Sequence, residues 1–313
     1  RVLNEQFDLN KAERTYTPTG HFRGNFIASP HDVEARHSTK RKTHWVGYRC
    51  HVTESISDKA GEARFITDVR LVPAPDADNQ YVEAIQMALA YRCLLPRQHY
   101  VDQGYMSAAN LADSLNRGVD LRGCLLPDTS DKPAGFRLAD FQIDIAQQIA
   151  ICPAGQTALR FVPSPPQPRN LVAYHVFFGK VCLTCPFFGP TLCTDKPNGR
   201  HLSLNLHHEL IQEHRKEAAT PTFRREMQIR VGIESVISEL VRTHGLRRAR
   251  YRGRAKNSLQ VCFIGAAVNL KRLAKASLLF VFCRGLEQRH GSLTTSNHPV
   301  FQQSPFWGHY SID

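Results

Sequence analysis

Hydrophobic and polar positions along the first 126 residues predict strands and helices in mixed order. Four short stretches rich in aromatic and β-branched residues predict strands: 45–52, 63–72, 99–102 and 119–126. Two stretches with apolar residues at helical spacing predict helices: 81–95 and 107–116. The order strand, strand, helix, strand, helix, strand indicates a mixed α/β sheet with helices packed on it.

Residues 222–240 predict an amphipathic helix. Its apolar stripe consists of residues at helical spacing: Ile229, Ile233, Val236, Ile237 and Leu240. The pair Thr220–Pro221 predicts the start of the helix and Gly245 predicts its end. On another face, Met227, Arg230 and Glu234 fall at i, i+3 and i+7 and therefore form one row. This row is typical either of a solvated helix with an Arg–Glu pair or of a functional site.

A dense basic segment follows this helix. Residues 242–256 contain seven cations and no acidic residue: Arg242, Arg247, Arg248, Arg250, Arg252, Arg254 and Lys256. Arginine suits phosphate oxygens because its planar guanidinium donates two parallel hydrogen bonds. The segment therefore predicts contact with a polyanion, and the alternative is a basic surface loop that pairs with local carboxylates.

The composition changes over residues 127–205, which are rich in Pro and Gly and predict an inserted subdomain. Four cysteines in it predict a tetrahedral structural zinc site: Cys152, Cys182, Cys185 and Cys193. The alternatives are that Cys152 and Cys193 are incidental, or that the Cys182–Cys185 pair is redox-active. After the insertion, the pattern predicts a short helix at 206–217 and a long apolar helix at 257–283. The tail from residue 284 lacks periodicity.

Length, composition and net charge narrow the classes of function that fit the sequence. The chain has 313 residues, is 42% hydrophobic and carries a net charge of +12, which favours nucleic acid or another acidic partner. No apolar run approaches the roughly 18 residues of a membrane span, and no signal sequence opens the chain. The pattern predicts a soluble intracellular protein with no membrane partner. Its nine cysteines predict buried thiols rather than a disulfide framework.

Three stretches carry a resemblance to a known family. They are VDQGY at 101–105, RVGIESVISELVRTHGLRRARYRGRAK at 230–256, and SPHDVEAR at 29–36. They resemble the DDE transposases of bacterial insertion sequences, in particular the branch with a cysteine-bearing insertion before the last catalytic helix. The resemblance extends from about residue 4 to residue 272 and covers most of the chain.

The resemblance implies an RNase H-like core that cuts and joins DNA ends with Mg²⁺ or Mn²⁺ held by two Asp and one Glu. By position, Asp102 corresponds to the second Asp, Glu234 to the Glu, and Arg230 to the Arg that precedes that Glu. The implied partners are double-stranded DNA, namely the element ends and the target, and further copies of the chain on that DNA. The implied location is the bacterial cytoplasm.

Several positions depart from the family pattern. Met227 stands where the family has Tyr, and Arg242 is the nearest cation to an expected Lys, one residue late. The first catalytic Asp belongs on a strand upstream of residues 29–36, so the chain is predicted to be a truncated form. Asp32 is the tentative substitute, and Asp68 is a weaker one. The alternatives are an inactive DNA-binding remnant and an RNase H-like nuclease.

The predicted domain organisation has four parts. They are the first part of the core at 1–126, the insertion at 127–205, the C-terminal helical part of the core at 206–283, and the tail at 284–313.

Overall fold

A computed structural model describes most of the chain. The described residues are 5, 7–10, 12, 14–18, 26–40, 42–56, 62–127, 132–165, 172–289 and 306–312, with side chains to residue 277. Two compact units are present, unit 1 with residues 1–106, 113–123 and 221–313, and unit 2 with residues 107–112 and 124–220. The predicted insertion, 127–205, lies within unit 2.

Thirteen strands and six α-helices are present in the described residues. The strands are β1 Phe7–Asn10, β2 Thr15–Pro18, β3 Arg36–Lys40, β4 Thr43–Ile56, β5 Ile66–Pro73, β6 Gln98–Tyr100, β7 Asp120–Arg122, β8 Gln142–Asp144, β9 Ile149–Ile151, β10 Arg160–Pro163, β11 Val172–Phe177, β12 His201–Asn205 and β13 Phe306–Ile312. The helices are α1 Val82–Tyr91, α2 Ala108–Asn116, α3 His208–Ala218, α4 Pro221–Met227, α5 Gly232–Arg242 and α6 Arg254–Arg289.

The main sheet of unit 1 is mixed. Its order is β3-β4-β13-β6-β7, and β5 also pairs with β4. Strand β4 is antiparallel to β3, β5 and β13, whereas β6 is parallel to β13 and β7. Strand β6 therefore has a neighbour on each side. This mixed sheet with flanking helices is the α/β architecture that the sequence predicts.

Helix α5 packs four of the five residues of the predicted apolar stripe into the core of unit 1, whereas Ile229 lies in the 3₁₀ turn before it. Its buried residues Ile233, Val236 and Leu240 contact a cluster that includes Val52 of β4 and Val261 of α6. The N–H of Leu246 donates to the carbonyl of Leu240 at 3.0 Å, a six-residue closure made across Gly245. Gly245 has φ +65°, a left-handed conformation that suits glycine and that ends the helix as predicted.

Unit 2 consists mainly of short strands around a small core. Strands β10, β11 and β12 form an antiparallel sheet, and β8 and β9 form a hairpin. The core contains Phe141, Val176, Phe178, Leu202 and Leu204. This core is small for a separate unit.

Three sequence predictions need correction. The helix predicted from residue 222 is interrupted by a 3₁₀ turn at Gln228–Val231, before Gly232, whose Cα faces the guanidinium of Arg64. Residues 36–40, which lie outside the strands predicted from the sequence, form β3, because pairing with β4 stabilises a strand whose own sequence is polar. The tail, predicted to lack structure, continues α6 to Arg289 and supplies β13. Residues 290–305 and 313 lie outside the described residues.

Candidate active site and basic segment

Asp102 leaves the sheet at the carboxyl end of β6. The N–H of Val101 donates to the carbonyl of Arg122 at 2.8 Å, so pairing with the neighbouring strand continues up to the residue before Asp102. The N–H of Tyr105 then donates to the carbonyl of Asp102 at 3.0 Å and closes a turn. Val101 and Tyr105 are buried, whereas the Asp102 side chain is 47% exposed. The backbone is fixed and the carboxylate faces solvent.

The turn after Asp102 requires a glycine. A Cβ on Gly104 would lie 2.8 Å from a carboxylate oxygen of Asp78, which is closer than van der Waals contact allows. Asp78 accepts a hydrogen bond from Arg49 at 2.9 Å and is therefore held in place. Tyr105 is anchored by its hydroxyl, which lies 2.5 Å from Nδ1 of the buried His51. These contacts fix the position of Asp102.

Arg230 joins the two sequence segments of the predicted site. Its guanidinium forms an ion pair with the carboxylate of Asp102. Arg230 lies in the 3₁₀ turn, and Glu234 follows it in the first turn of α5 with its side chain exposed. Since Ile233 and Val236 are buried on either side of Glu234, this end of α5 is fixed against the core. The fold thus brings Arg230 to Asp102 and holds Glu234 one turn further along.

Asp32 is engaged elsewhere in unit 1. Its carboxylate accepts hydrogen bonds from the Tyr48 hydroxyl at 2.9 Å and from the N–H of Gly253 at 3.0 Å. Partial burial would raise the pKa of Asp32, but these bonds and those from the N–H groups of Glu34 and Ala35 lower it below its ordinary value.

Asp68 is separated from Asp102 by the sheet itself. It lies on β5, so β4 and β13 stand between its strand and β6, a distance of three strand spacings or roughly 14 Å. Its buried carboxylate is paired with Arg92 at 2.6 Å and with Arg70 at 3.4 Å. This environment is that of a structural ion pair.

The basic segment presents all seven of its predicted cations to solvent. None of them forms an ion pair with a carboxylate within the described residues. The backbone beneath them is held by Asn257 and Gln260 of α6. Asn257 donates to the carbonyl of Tyr251 at 2.7 Å, and Gln260 donates to that of Arg248 at 2.8 Å. Arg247, Arg248, Arg250 and Arg252 therefore project from a loop that α6 holds in place.

A cleft of about 450 Å³ lies between the basic segment and α6. Its lining combines cationic, aromatic and aliphatic side chains: His244, Arg250, Tyr251, Lys256, Leu259, Gln260, Phe263, Ile264 and Ala267. No lining residue is acidic. Cationic and aromatic groups together suit the phosphates and bases of a nucleic acid.

Glu34 belongs to the support of the basic segment, although the sequence pattern does not indicate it. Its carboxylate accepts a hydrogen bond from the N–H of Arg254 at 2.9 Å, beside the bond between Asp32 and Gly253. Both acidic residues therefore cap the N-terminus of α6 and hold the end of the basic segment. The two partners lie over 200 positions apart, so no local pattern could indicate this pairing. The only signal is that both acids lie in residues 29–36.

The four cysteines of the predicted zinc site line one cavity in unit 2. Within the described residues, no three or more His, Cys, Asp or Glu side chains are arranged to hold a metal ion. The sulfurs therefore surround the cavity without forming a closed set of ligands. No described helix combines the length and the apolar character needed to cross a bilayer.

Comparison with known proteins gives one family match over part of the chain. Residues 151–274 match the family model described as a transposase DDE domain, a range that includes the four cysteines, Arg230, Glu234 and the basic segment. The match supports a DDE transposase, and the mixed α/β fold agrees with the RNase H-like class that such a domain implies. No curated protein and no solved structure matches the chain.

Proposed function

We propose that this chain is a transposase that cleaves phosphodiester bonds at the ends of a bacterial insertion sequence and joins them to target DNA. Asp102 and Glu234 would hold a catalytic Mg²⁺ or Mn²⁺, and Arg230 would position them. The ion pair between Arg230 and Asp102 carries the proposal, because it links the carboxyl end of β6 to the segment that begins α5. Members of the DDE family generally use divalent metal ions.

The chemistry suits these residues. Asp102 and Glu234 would hold a divalent ion, and such an ion would supply activation of a water molecule and stabilisation of the departing 3′ oxygen. Carboxylate oxygens are the ligands that Mg²⁺ and Mn²⁺ prefer, and Asp102 and Glu234 both present theirs to solvent. The Arg230 guanidinium compensates the Asp102 charge while no cation is bound. With a cation held there, the guanidinium would be free to donate to a phosphate oxygen.

A second candidate function is DNA binding without catalysis. It is favoured by the state of the tentative first carboxylate, since Asp32 already accepts bonds from Tyr48 and Gly253. Asp68 is paired with two arginines. Two carboxylates can hold one ion, whereas two ions require a further ligand. A chain that holds one ion weakly would bind DNA and leave it intact.

The proposed partner is double-stranded DNA, bound by the basic segment and the adjacent cleft. The seven exposed cations would contact phosphates, and Tyr251 and Phe263 of the cleft would contact sugars or bases. We also propose that several copies of the chain assemble on the two ends of the element, as strand transfer requires both ends.

The test is DNA cleavage by matched variants. The purified chain is incubated with Mn²⁺ and a plasmid carrying the genomic sequences that flank its gene, and nicked and linear products are quantified. Asp102→Asn and Glu234→Gln are each expected to reduce cleavage by at least about 100-fold, a loss typical of removing a group essential to the transition state. Asp113→Asn and Glu213→Gln are the controls, because both side chains are exposed and neither belongs to the proposed ligand set.

Arg230→Gln refines the test. Removing the guanidinium beside Asp102 removes a competing charge, so Mn²⁺ should bind about fivefold more tightly, which corresponds to about 1 kcal/mol. Cleavage at saturating Mn²⁺ should nevertheless fall. Cleavage that survives both carboxylate substitutions would exclude this site. DNA binding without any cleavage by the unmodified chain would favour the second candidate.

A further inference from the structure

The cavity in unit 2 brings together cysteines from three separate stretches of chain. Cys152 follows β9, Cys182 lies in a 3₁₀ turn at Gly179–Thr184, Cys185 ends that turn, and Cys193 lies in the loop that follows. The volume open inside the cavity is about 20 Å³, which is space for one small sphere. Four thiols from these three stretches therefore converge on a space of ionic size.

Backbone N–H groups point at two of the sulfurs. The N–H of Gln156 lies 3.3 Å from Sγ of Cys152, and the N–H of Arg200 lies 3.4 Å from Sγ of Cys182. The N–H of Cys185 donates to the carbonyl of Cys182 at 3.1 Å and closes the Cys-x-x-Cys turn. Donors aimed at sulfur stabilise a thiolate more than a neutral thiol.

We propose that Cys152, Cys182, Cys185 and Cys193 bind one structural Zn²⁺. The ion would replace the thiol protons, so that each binding event forms four Zn–S bonds and releases up to four protons to solvent. Closing the ligand set requires the side chains to rotate inward to the Zn–S distance of about 2.3 Å. This site is independent of the carboxylates proposed for cleavage.

The fold gives a reason for such an ion. Unit 2 is built from short strands, and its core also includes Cys182 together with the partly buried Cys152 and Cys193. A subdomain with so small a core commonly needs a metal or a disulfide for stability. All four cysteines are free thiols, and a reducing environment would keep them so. A metal ion is then the available means of stabilising this unit.

The test is metal analysis of the full chain, purified under reducing conditions without added metal. About one equivalent of zinc per chain is expected. Replacement by Co²⁺ should give the intense visible absorption of a tetrahedral thiolate site, a readout that needs no variant. Cys185→Ser should lower bound zinc below about half an equivalent. Cys124→Ser should leave it unchanged, because Cys124 belongs to the same unit but is exposed and outside the cavity.

Several results would overturn the site. They are less than half an equivalent of zinc in folded protein, cobalt-bound protein without thiolate absorption, an equal loss in Cys124→Ser, or disulfides among the four cysteines by mass spectrometry. Since cleavage depends on other residues, loss of the zinc proposal would leave the transposase proposal intact, and the reverse also holds.

Discussion

His99 is a buried histidine directly beside the candidate site. It lies on β6, three residues before Asp102, and its Nδ1 is 3.5 Å from the amide nitrogen of Gln86. Gln86 in turn donates to the hydroxyl of Ser114 at 2.9 Å. Burial lowers the pKa of His99 from 6.5 to about 4 because the charged imidazolium is poorly solvated in the core. The neutral ring is therefore part of the folded state.

This burial predicts acid sensitivity. The unfolded chain binds a proton at His99 below about pH 6.5, whereas the folded chain does so only near pH 4. The stabilisation is complete above pH 6.5 and is lost as the pH falls towards 4. When the pH falls from 7 to 5, protonation of His99 in the unfolded chain should lower the free energy of unfolding by about 2 kcal/mol. Urea denaturation at both pH values measures this change.

The controls are two substitutions of histidine by glutamine. His99→Gln should lower stability at pH 7 but flatten the pH dependence by about the predicted amount. His31→Gln, at an exposed position, should leave the pH dependence unchanged. If the free energy of unfolding of His99→Gln depends on pH as strongly as that of the unmodified chain, groups other than His99 account for acid unfolding.

At the scale of elements, the key contact joins the turn before β3 to the start of α6. Asp32 and Glu34 accept the N–H groups of Gly253 and Arg254, so two carboxylates lie at the N-terminus of a 36-residue helix. Negative charge at this end is stabilising because the orphan N–H groups carry partial positive charge. Gly253 has φ +85°, which a residue with a Cβ adopts only with strain.

Asp32→Asn separates three roles for this residue. If Asp32 holds the basic segment in place, DNA affinity should fall by several-fold and stability by about 1 kcal/mol. If it acts only as a charge near the DNA, its neutralisation should raise affinity. If it is a metal ligand, Mn²⁺ affinity should fall as it does in Asp102→Asn. We expect the first result, measured by fluorescence anisotropy with labelled DNA, by denaturation and by Mn²⁺ titration. Asp113→Asn is the neutralised control.

Local elements can be predicted from the sequence where local patterns determine them. The stripe of α5 and the stop at Gly245 depend on residues within one or two turns, and the sequence predicts both. The ion pair between Arg230 and Asp102 spans 128 positions, and only the family resemblance places these residues in one site. Strand β3 escapes prediction because RHSTK is polar, and its conformation comes from pairing with β4. Composition and spacing single out the four cysteines in the sequence. The fold places all four of them around one cavity.

At the scale of the whole molecule, the net charge of +12 predicts salt-dependent binding to DNA. Each phosphate neutralised by a cation releases counterions and adds about −0.9 to the slope of log Kobs against log salt. Replacing Arg247, Arg248 and Arg250 by Ala should reduce the magnitude of the slope by about one for each phosphate that is no longer neutralised. The measurement is a salt titration of DNA binding.

The matched control removes three exposed cations of unit 2: Arg137, Arg160 and Lys180. It changes the net charge by the same amount but leaves the basic segment intact. For this control, the slope of log Kobs against log salt should equal that of the unmodified chain. A reduced slope in the control together with a full slope in the basic-segment variant would place the DNA surface on unit 2.

Strand β13 has a consequence for how the protein is made. It fills the position between β4 and β6, and Phe306 pairs with both Ile56 and Gln98. During synthesis, β4 and β6 leave the ribosome long before β13, so their facing edges carry unpaired backbone groups in the nascent chain. The sheet can close only after residues 306–312 have emerged, and pairing between such distant segments forms slowly. Until then, this open sheet is a natural target for chaperones, and deletion of residues 306–312 would leave its two edges unpaired.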